Sequence, residues 1–255
     1  MPEPLHMTRQ IKILFLAANP ADRTRLELDI EFRAVQDQLL RGKYRDCFKL
    51  LVPQFAAGIQ DFTSALTRQQ PHIVHFSGHG STEQGIAFEG AGRSSRPAGR
   101  DELTDLFKVL ARNARLVFLN ACHTREQATI LGNIFDYTIG TNSRILDRDA
   151  CDLAAAFYRA LADGATVRGA FQTAQSALDN RVRAISVLSQ RATAKDSLPF
   201  VWQVLPRAER GCNSGSVIFQ TTVKDEGKVC NIINAQGSDI KVGSPLRKPR
   251  PKDRG

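Results

Sequence analysis

The 255-residue chain is 42% hydrophobic and 24% charged, ordinary values for a soluble globular protein, and no apolar run nears the ~20 residues of a spanning helix. Its formal charge of +9 is uneven: from Ser238 onward six Lys or Arg stand against Asp239 and Asp253, so a Pro-rich tail holds +4. That tail reads as a solvated, disordered end rather than a nucleic-acid contact, and five scattered cysteines without a CxxC pair argue against a disulfide framework or thiolate zinc site.

Residues 1–10 read as an N-terminal extension. A first strand, IKILFLAA, is followed directly by a helical pattern, so it is not a signal peptide and the chain is expected to be cytoplasmic. Leu28, Phe32, Val35 and Leu39 share one helix face. DCFKLLV reads as a strand, Ile59, Phe62 and Leu66 mark a second helix, and HIVHFS is a strand ending at His79. After the short strand GIAFE, the segment GAGRSSRPAG is too rich in Gly, Ser and Pro to be regular structure and is expected to be a loop.

Leu103, Leu106, Phe107 and Leu110 predict an amphipathic helix that leads into RLVFL, the strand ending at Cys122. A short helix over Glu126 to Leu131 precedes the strand YTIG. Two helices follow, carrying Leu153, Ala156, Phe157 and Leu161, then Val167, Ala170, Phe171 and Leu178, the second capped by Thr166. PFVWQVL is expected to close the core as a last strand. The alternation predicts an α/β fold with a mostly parallel sheet and helices on both faces. Residues 206–240 read as a short β-like appendage and 241–255 as the basic tail.

Loops at the carboxyl ends of parallel strands are where such folds place their chemistry. His79 lies between two glycines just past one strand and Cys122 just past another. If the strands are neighbours, the imidazole can act as base to the thiol, and Gly80 lets backbone N–H groups, with that of Cys122, approach a developing oxyanion. On spacing alone, a cysteine packed at a strand end and a histidine in a turn remain alternatives. His72 and His75 lie within their strand, His75 on one face with Ile73 and Ser77, and His123 adjoins Cys122. No phosphate loop, dinucleotide fingerprint, GxSxG elbow or metal-ligand cluster is present in the sequence, and no cofactor is expected.

HFSGHG followed 43 residues later by LNAC resembles the CHAT family of caspase-like cysteine peptidases, relatives of separase and the metacaspases. KILFLAANPADRTRLELDIEFRAV and IGTNSRILDRDACDLAAAFYRAL resemble the family's amino terminus and the strand and helix after its cysteine, so the resemblance covers about residues 11–205. It implies a caspase-like sheet and an endopeptidase with His79 as general base, Cys122 as nucleophile and no metal in the chemistry. It further implies the regulated effector of a bacterial defence or cell-death system, cleaving one protein. A catalytically silent scaffold in a signalling assembly is the alternative.

In related peptidases the loop after the strand matching YTIG helps line the pocket for the residue before the scissile bond. Here that loop offers Asp147 and Asp149, which would favour a basic residue, with Asp147 the one expected to contribute, and Arg144, which would favour an acidic residue or block a basic one; a pairing of Arg144 with Asp147 or Asp149 is the structural alternative. The sequence shows no sensor domain, so a separate activating protein is expected, with residues 216–240 as a candidate docking strand and no membrane partner.

Overall fold

The computed structural model describes residues 10–55, 58–108, 113–178, 180–194 and 196–205. Residues 1–9, the expected appendage at 206–240 and the basic tail at 241–255 lie outside them. Among the described residues no helix is long and apolar enough to cross a membrane.

The elements run β1 (Ile11–Ala18), α1 (Leu28–Arg41), β2 (Phe48–Leu50), β3 (Gln54–Phe55), α2 (Ile59–Gln69) and β4 (Ile73–Gly78). A small excursion follows, β5 (Gly80–Ser81), β6 (Gly85–Glu89) and β7 (Ser95–Ala98). Then come α3 (Arg100–Lys108), β8 (Leu116–Asn120), α4 (Arg125–Leu131), β9 (Tyr137–Thr141), α5 (Asp147–Ala162), α6 (Val167–Ser176), α7 (Asn180–Ile185), β10 (Ser186–Gln190) and α8 (Phe200–Val204).

The main sheet has the order β10-β9-β8-β4-β1-β2, with β3 also on β1. All its pairings are parallel except that of β10 with β9. Parallel strands covered on both faces read as continuous apolar runs, and β1, β4, β8 and β9 are buried along almost their whole length. On one face Ile13, Ile73, Phe118 and Ile139 pack against α1, α5 and α6; on the other Leu14, Val74, Phe76 and Leu119 meet α2, α3 and α4. Thr166 caps α6 as expected, its Oγ1 accepting the Gly169 N–H at 3.0 Å.

Two expectations fail. PFVWQVL is not a strand: Phe200–Val204 is a helix entered from Pro199, and the sheet edge is taken instead by the antiparallel β10. A short apolar run carries no usable period, so strand and buried helix look alike in it. GAGRSSRPAG is not wholly irregular, because Ser95–Ala98 pairs antiparallel with β6. Pro97 is tolerated because β7 is an edge strand, where a missing N–H costs no ladder bond. Among the described residues Cys122 and Cys151 carry free thiols.

Candidate active site

β4 and β8 are hydrogen-bonded neighbours whose last register pair is Ser77 with Asn120. His79 and Cys122 each lie two residues beyond that pair, so the parallel ladder delivers both to the same carboxyl edge of the sheet. Gly80 closes the gap between the two strand ends. A Cβ built on it would lie 2.1 Å from the Cys122 carbonyl oxygen and 3.2 Å from its carbon, so only a glycine fits against that peptide.

The half-buried His79 ring is oriented from the β1–α1 connection: its Nε2 lies 2.8 Å from the Thr24 carbonyl oxygen. A carbonyl can only accept, which puts the proton on Nε2 and leaves Nδ1 of the neutral ring with its lone pair. The connection is itself latched to the small sheet. Ala21 N–H donates to Arg93 O at 2.7 Å, the Ser95 N–H and hydroxyl donate to Asp22 Oδ1 at 2.9 and 2.6 Å, and Arg23 Nε reaches Ser95 Oγ at 2.9 Å. β5, β6 and β7 thus brace the carbonyl that aims the imidazole. Desolvation lowers the pKa of His79 from its ordinary 6.5, and Arg23 adds to the shift; the Thr24 bond, Asp147 and Asp22 oppose it.

Cys122 sits in a tight turn between β8 and α4. Its thiol donates to the Ile145 carbonyl at 3.7 Å, a weak contact. The turn is clamped by Thr141, whose Oγ1 donates to Ala121 O at 2.7 Å, and by Thr124, whose Oγ1 accepts the Thr141 N–H at 3.0 Å. His123 takes a left-handed φ of 53° and donates its N–H to Ser143 O at 3.2 Å. His79 and Cys122 bond these separate carbonyls and not each other.

The other candidates divide clearly. His72 Nδ1 accepts the Lys12 N–H at 2.9 Å, a structural role, and His75 is fully buried. Burial pushes the Cys151 thiol up to about 11, with Glu31 and Asp152 adding to the shift, so it does not compete as a thiolate at neutral pH. Asp147 stands at the start of α5 with Oδ2 accepting the Glu27 N–H at 2.9 Å. Arg144 is exposed. A cavity of about 430 Å³, lined in part by Thr82, His123, Arg125, Ile130 and Asn142, opens along the residue next to Cys122. Among the described residues no group of three or more His, Cys, Asp or Glu is placed to hold a metal ion. Sequence reasoning missed Thr24, which bears on the site through its backbone carbonyl and so leaves no side-chain signal.

The CHAT domain family matches residues 15–208. Among curated proteins, the chain is 23% identical over 176 residues to a Roc-COR-CHAT protease from an unknown prokaryotic organism, covering 67% of this chain and 17% of that protein. It is 24% identical over 133 residues to a protein named "Probable protease" from Gillisia limnaea, covering 51% of this chain and 23% of the relative. The chain therefore spans less than a quarter of the length of either relative. Among solved structures it is similar to the Arg-specific cysteine proteinase gingipain R, at a TM-score of 0.45 and 13% identity over 66% of this chain and 41% of that one.

Proposed function

The chain belongs to the CHAT domain family, and from that premise we propose that it is a cysteine endopeptidase with His79 as base and Cys122 as nucleophile. The observation that carries the reading is the delivery of both groups to adjacent ends of β4 and β8, with the His79 tautomer set by Thr24. Two relatives described as proteases support it.

In this reading Nδ1 of His79 takes the thiol proton of Cys122, and the thiolate attacks the scissile carbonyl. The tetrahedral oxyanion is met by the backbone N–H groups of Gly80 and Cys122. Supporting the first donor, Ala87 N–H bonds His79 O at 3.0 Å, so Gly80 opposite Ile86 falls at the non-bonded position of the ladder, where its N–H turns away from β6. His79 then returns the proton to the leaving amine, the acyl-enzyme forms, and a water activated by the same nitrogen releases the new carboxylate. Hydrogen bonds between base and nucleophile are commonly looser before substrate binds, which accommodates the separate partners of the two groups here. The test is digestion of a proteome-derived peptide library by the purified chain, read by mass spectrometry. New termini that vanish with Cys122→Ala carry the proposal; identical termini in both chains would sink it.

Asp147 is proposed to favour a basic residue before the scissile bond, because Oδ1 remains open while Oδ2 holds Glu27. Asp147→Asn keeps an acceptor for the Glu27 N–H and removes the charge, so cleavage after Lys and Arg should fall about tenfold relative to neutral residues. Unchanged preference would confine Asp147 to its bond with Glu27.

The substrate is proposed to be a protein, and the activity to be switched on by a separate protein docking on residues 216–240, in a defence or cell-death response. Removal of those residues should leave the reactivity of Cys122 intact while abolishing the response to that protein. Full activation of the shortened chain would refute the docking role.

A further inference from the structure

Directly beneath the site lies a knot of polar groups that the mechanism does not use. Glu31 of α1 is only 2% exposed, and its carboxylate meets three side chains: Ser77 Oγ donates to Oε2 at 2.5 Å, Asn120 Nδ2 to Oε1 at 2.7 Å, and His75 Nε2 lies 2.8 Å from Oε1. A carboxylate can only accept, so the proton of that last contact sits on Nε2. His75 Nδ1 then faces the hydroxyl of the buried Tyr158 at 3.3 Å, and its ring is stacked between Phe15 and Phe118 at 4.7 and 4.9 Å. Asn120 Nδ2 also donates to Ala150 O at 3.0 Å, which fixes the amide orientation and leaves its buried Oδ1 without a partner.

The placement is specific. Ser77 and Asn120 are the last register pair of β4 and β8, and each is two residues before a member of the dyad. Inward positions around them on this face are apolar, Ile73, Leu116, Phe118 and Ile139 among them. An apolar face tells a strand which side is in, but a slide of two residues preserves that pattern. A carboxylate that must meet both Ser77 and Asn120 is satisfied in one setting only. Buried charge is a poor source of stability, because its desolvation offsets most of its attraction, whereas fixing register is its best-attested use.

We propose that Glu31 is the positioning residue of the site, locking β4 and β8 in the one relative setting that keeps His79 aligned with Cys122. The proposal rests on the dyad reading above. It predicts a loss of alignment, separable from a loss of folding, when the knot is opened.

The test is the rate of alkylation of Cys122 by iodoacetamide as a function of pH, followed by mass spectrometry on the full chain beside His79→Ala. Glu31→Gln keeps the volume but sets an amide N–H₂ against donors. Its Cys122 should react roughly tenfold more slowly at neutral pH, at the rate of the His79→Ala chain, and lose the inflection that His79 imposes on the profile. The charges around His79, namely Arg23, Asp22 and Asp147, are untouched by the substitution. A folded Glu31→Gln chain with the wild-type rate and profile would overturn the proposal, since a merely structural role lowers the melting temperature without altering the pH dependence of the folded molecules.

Should Glu31→Gln fail to fold, Ser77→Ala decides. It removes one donor, and several-fold slowing with a flattened inflection supports the proposal, whereas a wild-type profile overturns it. Equal alkylation of wild type and His79→Ala would instead bring down the dyad reading and this inference with it.

Discussion

If His79 is the base proposed above, His79→Ala is expected to lower kcat/KM for any peptide that the chain cleaves by about 10²–10⁴-fold, the range a positioned general base contributes. The wild-type profile that accompanies this loss has a definite shape. Protonation of Nδ1 removes the base, and desolvation holds the His79 pKa below its ordinary 6.5. Activity should therefore persist as the pH falls through 6.5 and decline only at lower pH. The same shift has a consequence for stability: with the folded pKa below the unfolded one, the contribution is present above the unfolded value and is lost as pH falls through the folded one. Measured kcat/KM against pH reports the groups of the free enzyme. An acid limb centred above 6.5, or one retained in His79→Ala, would assign the base to another residue.

Gly80→Ala is expected to disable the proposed site with His79 and Cys122 both still in the chain. The added Cβ would fall 2.1 Å from the carbonyl oxygen of Cys122. The obstacle is backbone, which cannot swing aside as a side chain does, so the His79–Gly80 segment or the Cys122 turn must move. Overpacking of this kind costs about 1–3 kcal/mol, and a displacement near 1 Å at the reacting atoms costs about 10²-fold in rate. The measurement is turnover per folded molecule together with the melting temperature. Gly99→Ala is the control, because a Cβ there meets nothing within 4 Å, and it should be neutral in both readouts. Full turnover in Gly80→Ala would mean that the dyad tolerates a wider gap than the structure shows.

The strands that carry the site were legible because each is covered on both faces. IVHFSG and LVFLN need not alternate, and each is followed by residues that a buried strand cannot continue through. The same logic failed for PFVWQVL, whose apolar side chains suit a helix packed on α5 as well as a strand. It also missed the edge strand β10, since Ser186–Gln190 is half-polar and is marked as a strand only by its partner β9.

The polar knot was half visible. Ser77 and Asn120, the last register pair of β4 and β8, interrupt apolar strands, and Glu31 interrupts the buried face of α1, but nothing local says that the three meet. Glu31 is 46 residues from Ser77 and 89 from Asn120, and Thr24 is 55 from His79.

From the sequence alone came the alternation of strands and helices, the identities of His79 and Cys122, and the glycine between them, because periodicity and backbone permissiveness act over a few residues. The tertiary structure decided that β4 and β8 are neighbours, that a backbone carbonyl at Thr24 aims the imidazole, and that one buried carboxylate spans both strands. Those contacts follow from the order in which strands assemble into a sheet, and that order is set by the packing of whole helices on its two faces.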